Sequence, residues 1–155
     1  MVFLVLKSGF TNNNMFLQPK RTKYKKLKKV YLTKLLATSC FKLQFGNFGI
    51  KVLEATKLTA KQIESIRQTV NRQLNRKGKV WVRVFPHIPV TSKPTENRMG
   101  KGKGSVDYWC APIKAGTILF EVGGNVPSVK IIEALKKGCS KLQVRTRIIS
   151  KYDVK

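Results

Sequence analysis

The sequence predicts an α+β domain carried behind a basic amino-terminal arm, and two patterns lead to that reading. Segments of strand periodicity are mixed with two amphipathic helices, without regular strand–helix–strand alternation. The stretch Lys20 to Lys34 holds eight basic residues in fifteen positions, and no acid occurs before Glu54. Blocks of like charge are commonly interaction arms rather than parts of a packed core.

From Cys40 the chain becomes periodic. Phe41, Leu43 and Phe45 alternate with polar neighbours, which predicts a strand over Cys40 to Phe45. Gly46 and Gly49 then suggest a bend or bulge before the strand resumes at Ile50 to Glu54. Thr59 with Gln62 three positions later forms a capping box, so a helix starts there. Ile63, Ile66, Val70 and Leu74 follow at spacings of three and four, one apolar stripe for the core. Gly78 is placed to end this helix in a left-handed conformation. Val80 to Phe85 has the β-branched and aromatic content of a strand. Pro86, Pro89 and Pro94 are expected to hold the next stretch as a long irregular loop. Val106 to Ile113 and Thr117 to Val122 read as a hairpin across Lys114-Ala115-Gly116. Pro127 opens a second helix, with Ile132, Leu135 and Cys139 at helical spacing, and Gln143 to Ser150 closes the domain as a strand. The strands are expected to be mostly antiparallel in a single domain.

Composition restricts function. With 32 Lys+Arg against 7 Asp+Glu, the 155 residues carry +25. Such a surplus makes the compact state repel itself, so a polyanionic partner is expected. Nucleic acid fits best, because each phosphate neutralised releases condensed counterions. A membrane partner would call for a basic amphipathic helix or a lipid anchor, and neither is visible. No run approaches the roughly 18 apolar residues of a membrane span. Val2 to Leu6 is short and lacks a signal peptide's basic region and cleavage site, which favours a frayed tail or an upstream start before Met15. Cys40, Cys110 and Cys139 are widely spaced, with no CxxC and no Cys/His cluster, so each reads as a small buried hydrophobe and no metal site is expected.

The most distinctive chemistry lies in Lys93 to Ser105. Arg98-Met99-Gly100-Lys101-Gly102-Lys103-Gly104 alternates glycine with cations in a proline-bounded loop. Glycine permits left-handed dihedrals and close approach of backbone to phosphate. Lys101 and Lys103 supply point charges, while Arg98 can fork two donors onto a phosphate or a guanine edge. A phosphate-binding P-loop needs Gly-Lys followed by Ser or Thr, and both lysines here precede glycine. The dinucleotide fingerprint fails as well, since the three glycines alternate and no helix follows. His87 is the only histidine and the seven carboxylates are scattered, so no acid–base constellation is visible. Trp81 and Trp109 read as core residues rather than stacking platforms.

Four strings in order carry a family resemblance. Met15 to Tyr24 (MFLQPKRTKY), Leu58 to Glu64 (LTAKQIE), Lys79 to Pro86 (KVWVRVFP) and Lys93 to Gly104 (KPTENRMGKGKG), the last followed by Tyr108-Trp109, resemble the bacterial and organellar large-subunit ribosomal protein sixteen family. The resemblance spans about 15–151. It implies a hammerhead-like α+β fold, no enzymatic activity, no cofactor and no small-molecule substrate. It also implies large-subunit rRNA, tRNA and neighbouring ribosomal proteins as partners, near the peptidyl-transferase centre. Carried onto this chain, Gln18, Lys20, Arg21, Lys23, Lys25 and Arg83 are expected to bind rRNA. Lys93, Arg98, Met99, Gly100, Lys101, Gly102, Lys103 and Gly104 form the loop expected to meet rRNA and A- and P-site tRNA. The implied organisation is an extension at 1–14, an rRNA-binding arm at 15–39, a domain at 40–151 and a tail at 152–155.

Departures from the family pattern carry information. Bacterial members are glycine-rich after the arm, whereas Leu27 to Leu43 is apolar and lysine-rich without glycine. That drift, and a lysine to arginine ratio of 24 to 8, point to a mitochondrial ribosome ahead of a plastid or a bacterial cytoplasm. The rival functional reading is a free RNA-binding assembly factor using the same basic surface.

Overall fold

The computed structural model describes residues 17–32, 35–100 and 102–152. The expected amino-terminal extension at 1–14, Lys34, Lys101 and the last three residues of the tail lie outside these. Seven strands and two helices follow one another as β1 (Phe48–Val52), β2 (Thr56–Thr59), α1 (Ala60–Gln73), β3 (Lys79–Val82), β4 (Ile88–Ser92), β5 (Ser105–Ile113), β6 (Ile118–Gly123), α2 (Ser128–Cys139) and β7 (Thr146–Ser150). The strands form two sheets, ordered β3-β6-β1-β7 and β2-β5-β4. Every neighbouring pair is antiparallel, so the expected α+β class with mostly antiparallel strands is the observed one.

β6 organises the larger sheet. All six of its residues are buried, and it pairs with β1 on one side and β3 on the other. Phe120 and Val122 join Ile50 and Val52 of β1 in the core, against which α1 and α2 pack. α1 begins as the sequence implies. The Thr59 hydroxyl accepts from the Gln62 amide at 3.2 Å, and the Gln62 side chain accepts from the Thr59 amide at 2.9 Å. Its stripe of Ile63, Ile66, Val70 and Leu74 is buried. α2 presents Ile131, Ala134, Leu135 and Gly138 to the core, one position away from the expected Ile132 and Cys139, which are half-buried. Gly138 does not end the helix. It lets α1 approach closely, since a Cβ there would lie 2.9 Å from Val70 Cγ2 and 3.3 Å from Ile66 Cγ2.

Several expected boundaries move. Cys40 to Phe45 is not a strand. Phe41 and Phe45 are exposed, and the segment crosses β6 with its amides turned to a side chain rather than to a neighbouring strand. The left-handed turn after α1 is made by Asn75 and Arg76 at φ +50° and +60°, not by Gly78, because the chain reverses one residue after the cap at Leu74. The expected proline loop contains β4, which carries Pro89. β4 lies at the edge of its sheet, where a residue without an N–H disturbs only one ladder. The expected hairpin is absent as well. β5 and β6 are consecutive but lie in different sheets, and the Lys114–Thr117 turn carries the chain between them.

Candidate nucleic-acid interface

The arm is attached to the domain at three points. Leu17 is buried in the core cluster. Further along, the Ala37 amide donates to the Ala115 carbonyl at 2.8 Å, beside a parallel bridge between Leu36 and Ala115. Between these anchors the arm meets the glycine-rich loop reciprocally. Lys26 Nζ donates to the Lys103 carbonyl at 2.9 Å, and Lys103 Nζ donates to the Leu27 carbonyl. The two segments singled out in the sequence, 76–77 residues apart, therefore form one surface.

That surface is exposed and cationic. Gln18, Lys20, Arg21, Lys23, Lys25, Lys26, Lys28 and Lys29 are all exposed. Tyr24 and Tyr31 are exposed among them, and Lys23 Nζ sits 5.5 Å from the Tyr24 ring centroid. The loop joins β4 to β5, and 93–100, Gly102 and Lys103 are exposed, Met99 almost completely at 99 %. Lys93 Nζ donates to the Gly100 carbonyl at 2.6 Å, a strut across the loop. Gly100 and Gly102 have φ of +97° and +78°, and a Cβ at either would meet nothing within 4 Å, so these glycines serve the backbone turn. Gly104 differs. A Cβ there would lie 2.1 Å from the Ser92 carbonyl oxygen, so its glycine lets the two strands begin pairing.

Arg83, expected to bind rRNA, is held apart from the arm's cations: its side chain is only 6 % exposed and is paired to Glu121, which is wholly buried. Nη1 donates to Glu121 Oε1, while Oε2 accepts from the amides of Gln44, Phe45 and Gly46 at 3.0, 2.7 and 2.9 Å. Arg83 Cζ also lies 5.1 Å from the Phe45 ring centroid, and Phe45 stacks on Trp81 at 6.2 Å. Its charge is balanced inside the fold, so it is no free phosphate ligand. Glu121 carries no motif that marks it in the sequence. The available signal is a lone acid inside the apolar run Ile118 to Val122.

Elsewhere the ionisable groups are structural. Burial alone would raise the Glu64 carboxyl, but hydrogen bonds from Arg67 and Gln68 outweigh it and hold the group below its usual range. Burial pushes the thiols of Cys110 and Cys139 up, as suits small apolar fillers, with Lys57 opposing this at Cys110 and Thr146 at Cys139. Among the described residues no group of His, Cys, Asp and Glu is arranged to hold a metal, and no helix is long and apolar enough to cross a membrane.

A family model described as ribosomal protein L16p/L10e matches residues 19–149. The chain belongs to this family. Large ribosomal subunit protein uL16 of Cereibacter sphaeroides (strain ATCC 17029 / ATH 2.4.9) is 53 % identical over 137 residues, covering 88 % of this chain and 98 % of the relative. The uL16 proteins of Mesorhizobium japonicum and Paracoccus denitrificans are 50 % and 49 % identical over 137 residues, covering 87 % and 88 % of this chain and 97 % and 98 % of theirs. L16p/L10e proteins are structural components of the ribosome, so membership, rather than the lack of a visible catalytic cluster, makes this chain a non-enzyme. The matched region contains both halves of the cationic surface, Lys20 to Lys29 and Lys93 to Gly104.

Proposed function

We propose that the chain, as a structural constituent of the large ribosomal subunit, binds large-subunit rRNA through its arm and meets A- and P-site tRNA through the Arg98 to Gly104 loop, near the peptidyl-transferase centre. The observation that carries this reading is the reciprocal pair of lysine–carbonyl contacts joining Lys26 and Leu27 to Lys103. It fixes the loop beside the arm, so one stretch of polyanion can cross both. Gln18, Lys20, Arg21, Lys23 and Lys25 then hold phosphates, giving register without sequence selectivity. Arg98, Lys101 and Lys103 supply the cations of the tRNA-facing part, on a backbone kept thin by glycine. Neighbouring large-subunit proteins are its other partners. The relatives are bacterial and suit a bacterial cytoplasm, while the lysine bias favours the mitochondrial matrix.

Sedimentation through a high-salt gradient tests the assignment. Retention of the native protein with intact large subunits is expected, and recovery only on precursor particles or at the top of the gradient would assign a free assembly factor instead. Cell fractionation assigns the compartment. For the loop, subunits carrying wild type or Gly102→Val are compared for A-site tRNA affinity, and equal affinity would remove the loop from tRNA contact.

A further inference from the structure

Where the two sheets meet, a cleft of about 320 Å³ opens between the end of the arm, the β3–β4 connection and the turn from β5 to β6. Ser39, Arg83, Phe85, His87 and Lys114 are among the residues that line it. We infer that this cleft receives one unstacked nucleotide of the large-subunit rRNA, its base against Phe85 and its phosphate at Lys114. The inference rests on the rRNA-binding reading above and adds a base-binding site to it.

The lining supplies what a splayed base requires. Phe85 offers a half-exposed ring, 43 % accessible on a neck of chain held between two buried or half-buried partners, Val84 and Pro86. Stacking on such a ring accepts any base. Arg83 supplies donors, and its pairing with Glu121 decides what they suit. Only Nη1 is matched to the carboxylate, so other guanidinium N–H groups remain for an acceptor in the cleft. With its charge already balanced and its side chain only 6 % exposed, Arg83 suits a single hydrogen bond to a neutral acceptor on a base edge, such as guanine O6, over a phosphate. Glu121 and the Phe45 ring hold the guanidinium in one orientation, which a free surface arginine lacks. His87 Nδ1 lies 3.1 Å from the Phe85 carbonyl oxygen, which can only accept, so Nδ1 is the donor of that contact and the ring is held beside Phe85. Lys114 is exposed and uncompensated by any acid in the cleft, which suits it to the phosphate.

Continuity with the arm argues for RNA as the occupant. Ala37 is bonded to Ala115, so the arm that carries the phosphate-binding cations ends as a wall of the cleft. Single-stranded loops and bulges are where proteins read RNA bases, because only there can a base leave its stack. A backbone following Lys20 to Lys29 is therefore led to a place that accepts one extruded base.

The test uses large subunits assembled with the full-length chain, as wild type, Phe85→Ala, His87→Ala or Lys114→Ala. Their rRNA is probed by 2′-hydroxyl acylation, and wild-type subunits are crosslinked with ultraviolet light. One unpaired nucleotide protected in wild type is expected to become about fivefold more reactive with Phe85→Ala, the factor matching the weak end of base–aromatic stacking. Gly102→Val subunits should keep that nucleotide protected, and the wild-type crosslink should map to 83–87. Unchanged reactivity in all three cleft variants, or a crosslink that joins 83–87 to a protein, would overturn the proposal. Should Phe85→Ala fail to enter subunits, the wild-type crosslink alone decides. A wild-type chain absent from large subunits would instead defeat the rRNA-binding reading on which the cleft depends.

Discussion

Glu121 lies in the most buried strand of the domain, and its full set of partners explains how an acid is tolerated there. A buried carboxylate is costly unless its oxygens are matched. Here one oxygen faces Arg83 and the other accepts three successive amides, so the segment 44–46 is fastened onto β6 without strand pairing. Removing one partner leaves the other buried and uncompensated, which typically costs about 3–5 kcal/mol. Glu121→Ala is therefore expected to destabilise the chain by an amount in that range in denaturant titrations, and a loss below about 1 kcal/mol would mean that the pair is solvated. The glycines of the loop separate just as sharply. Gly102→Val places a β-branched residue at φ +78° in open space, a strain of about 1–2 kcal/mol that an exposed loop can relax. Gly104→Val drives a Cβ against the Ser92 carbonyl at the start of the β4–β5 ladder, where overpacking costs about 1–3 kcal/mol. Thermal melting of the free chain should thus be nearly unchanged for Gly102→Val and clearly lowered for Gly104→Val. Equal shifts would show that the two positions share one role. The left-handed dihedrals at Gly100 and Gly102 were legible from the repeated Gly-Lys pattern, but the separate role of Gly104 was not, because its close approach is to Ser92, at the far end of the loop.

Among the elements, those whose signals are local were the ones the sequence revealed. α1 announces itself through a capping box and a helical stripe, and both appear at the expected residues. β4 did not, because Pro86, Pro89 and Pro94 are breakers in isolation, and only its place at a sheet edge makes Pro89 acceptable. The expected hairpin between β5 and β6 failed for a related reason. Adjacent strands joined by a short turn usually pair, yet here β5 is taken by β2 and β4, and β6 by β1 and β3. Alternation at Phe41, Leu43 and Phe45 likewise could not reveal that the nearest acceptor for this backbone is a carboxylate. Ile66 is fully buried and faces α2 at Gly138. Ile66→Ala should cost about 2–5 kcal/mol through reduced burial and a residual cavity. Should the isolated chain unfold as wild type does while only subunit incorporation falls, the stripe would be an interface rather than core.

At the scale of the whole molecule the dominant quantity is the charge of +25, and it is unevenly used. Arg83 is balanced by Glu121, and Arg67 by Glu64, whereas the arm lysines from Lys20 to Lys29 are exposed. The family and the arm's basic character were legible in the sequence, but the joining of arm to loop was not, since lysine–carbonyl bonds across 76–77 residues leave no periodic trace. This division predicts two kinds of arm variant. Replacing Lys20, Arg21, Lys23 and Lys25 with glutamine removes four cations that make no hydrogen bond or ion pair within the described residues. Stability should stay within about 0.5 kcal/mol, as for surface changes generally. Binding to large-subunit rRNA should weaken, and the slope of log affinity against log salt should flatten by roughly 0.7–0.9 for each phosphate left without its cation. Lys26→Gln removes one cation as well, but it also releases the Lys103 carbonyl, so tRNA affinity of the assembled subunit should fall while the rRNA slope flattens by about one phosphate's share. Titrations at several salt concentrations with the four-site variant separate the two effects. A slope equal to that of wild type would mean that the phosphates are held by the domain face, and that the arm's charge is solvated even in the complex.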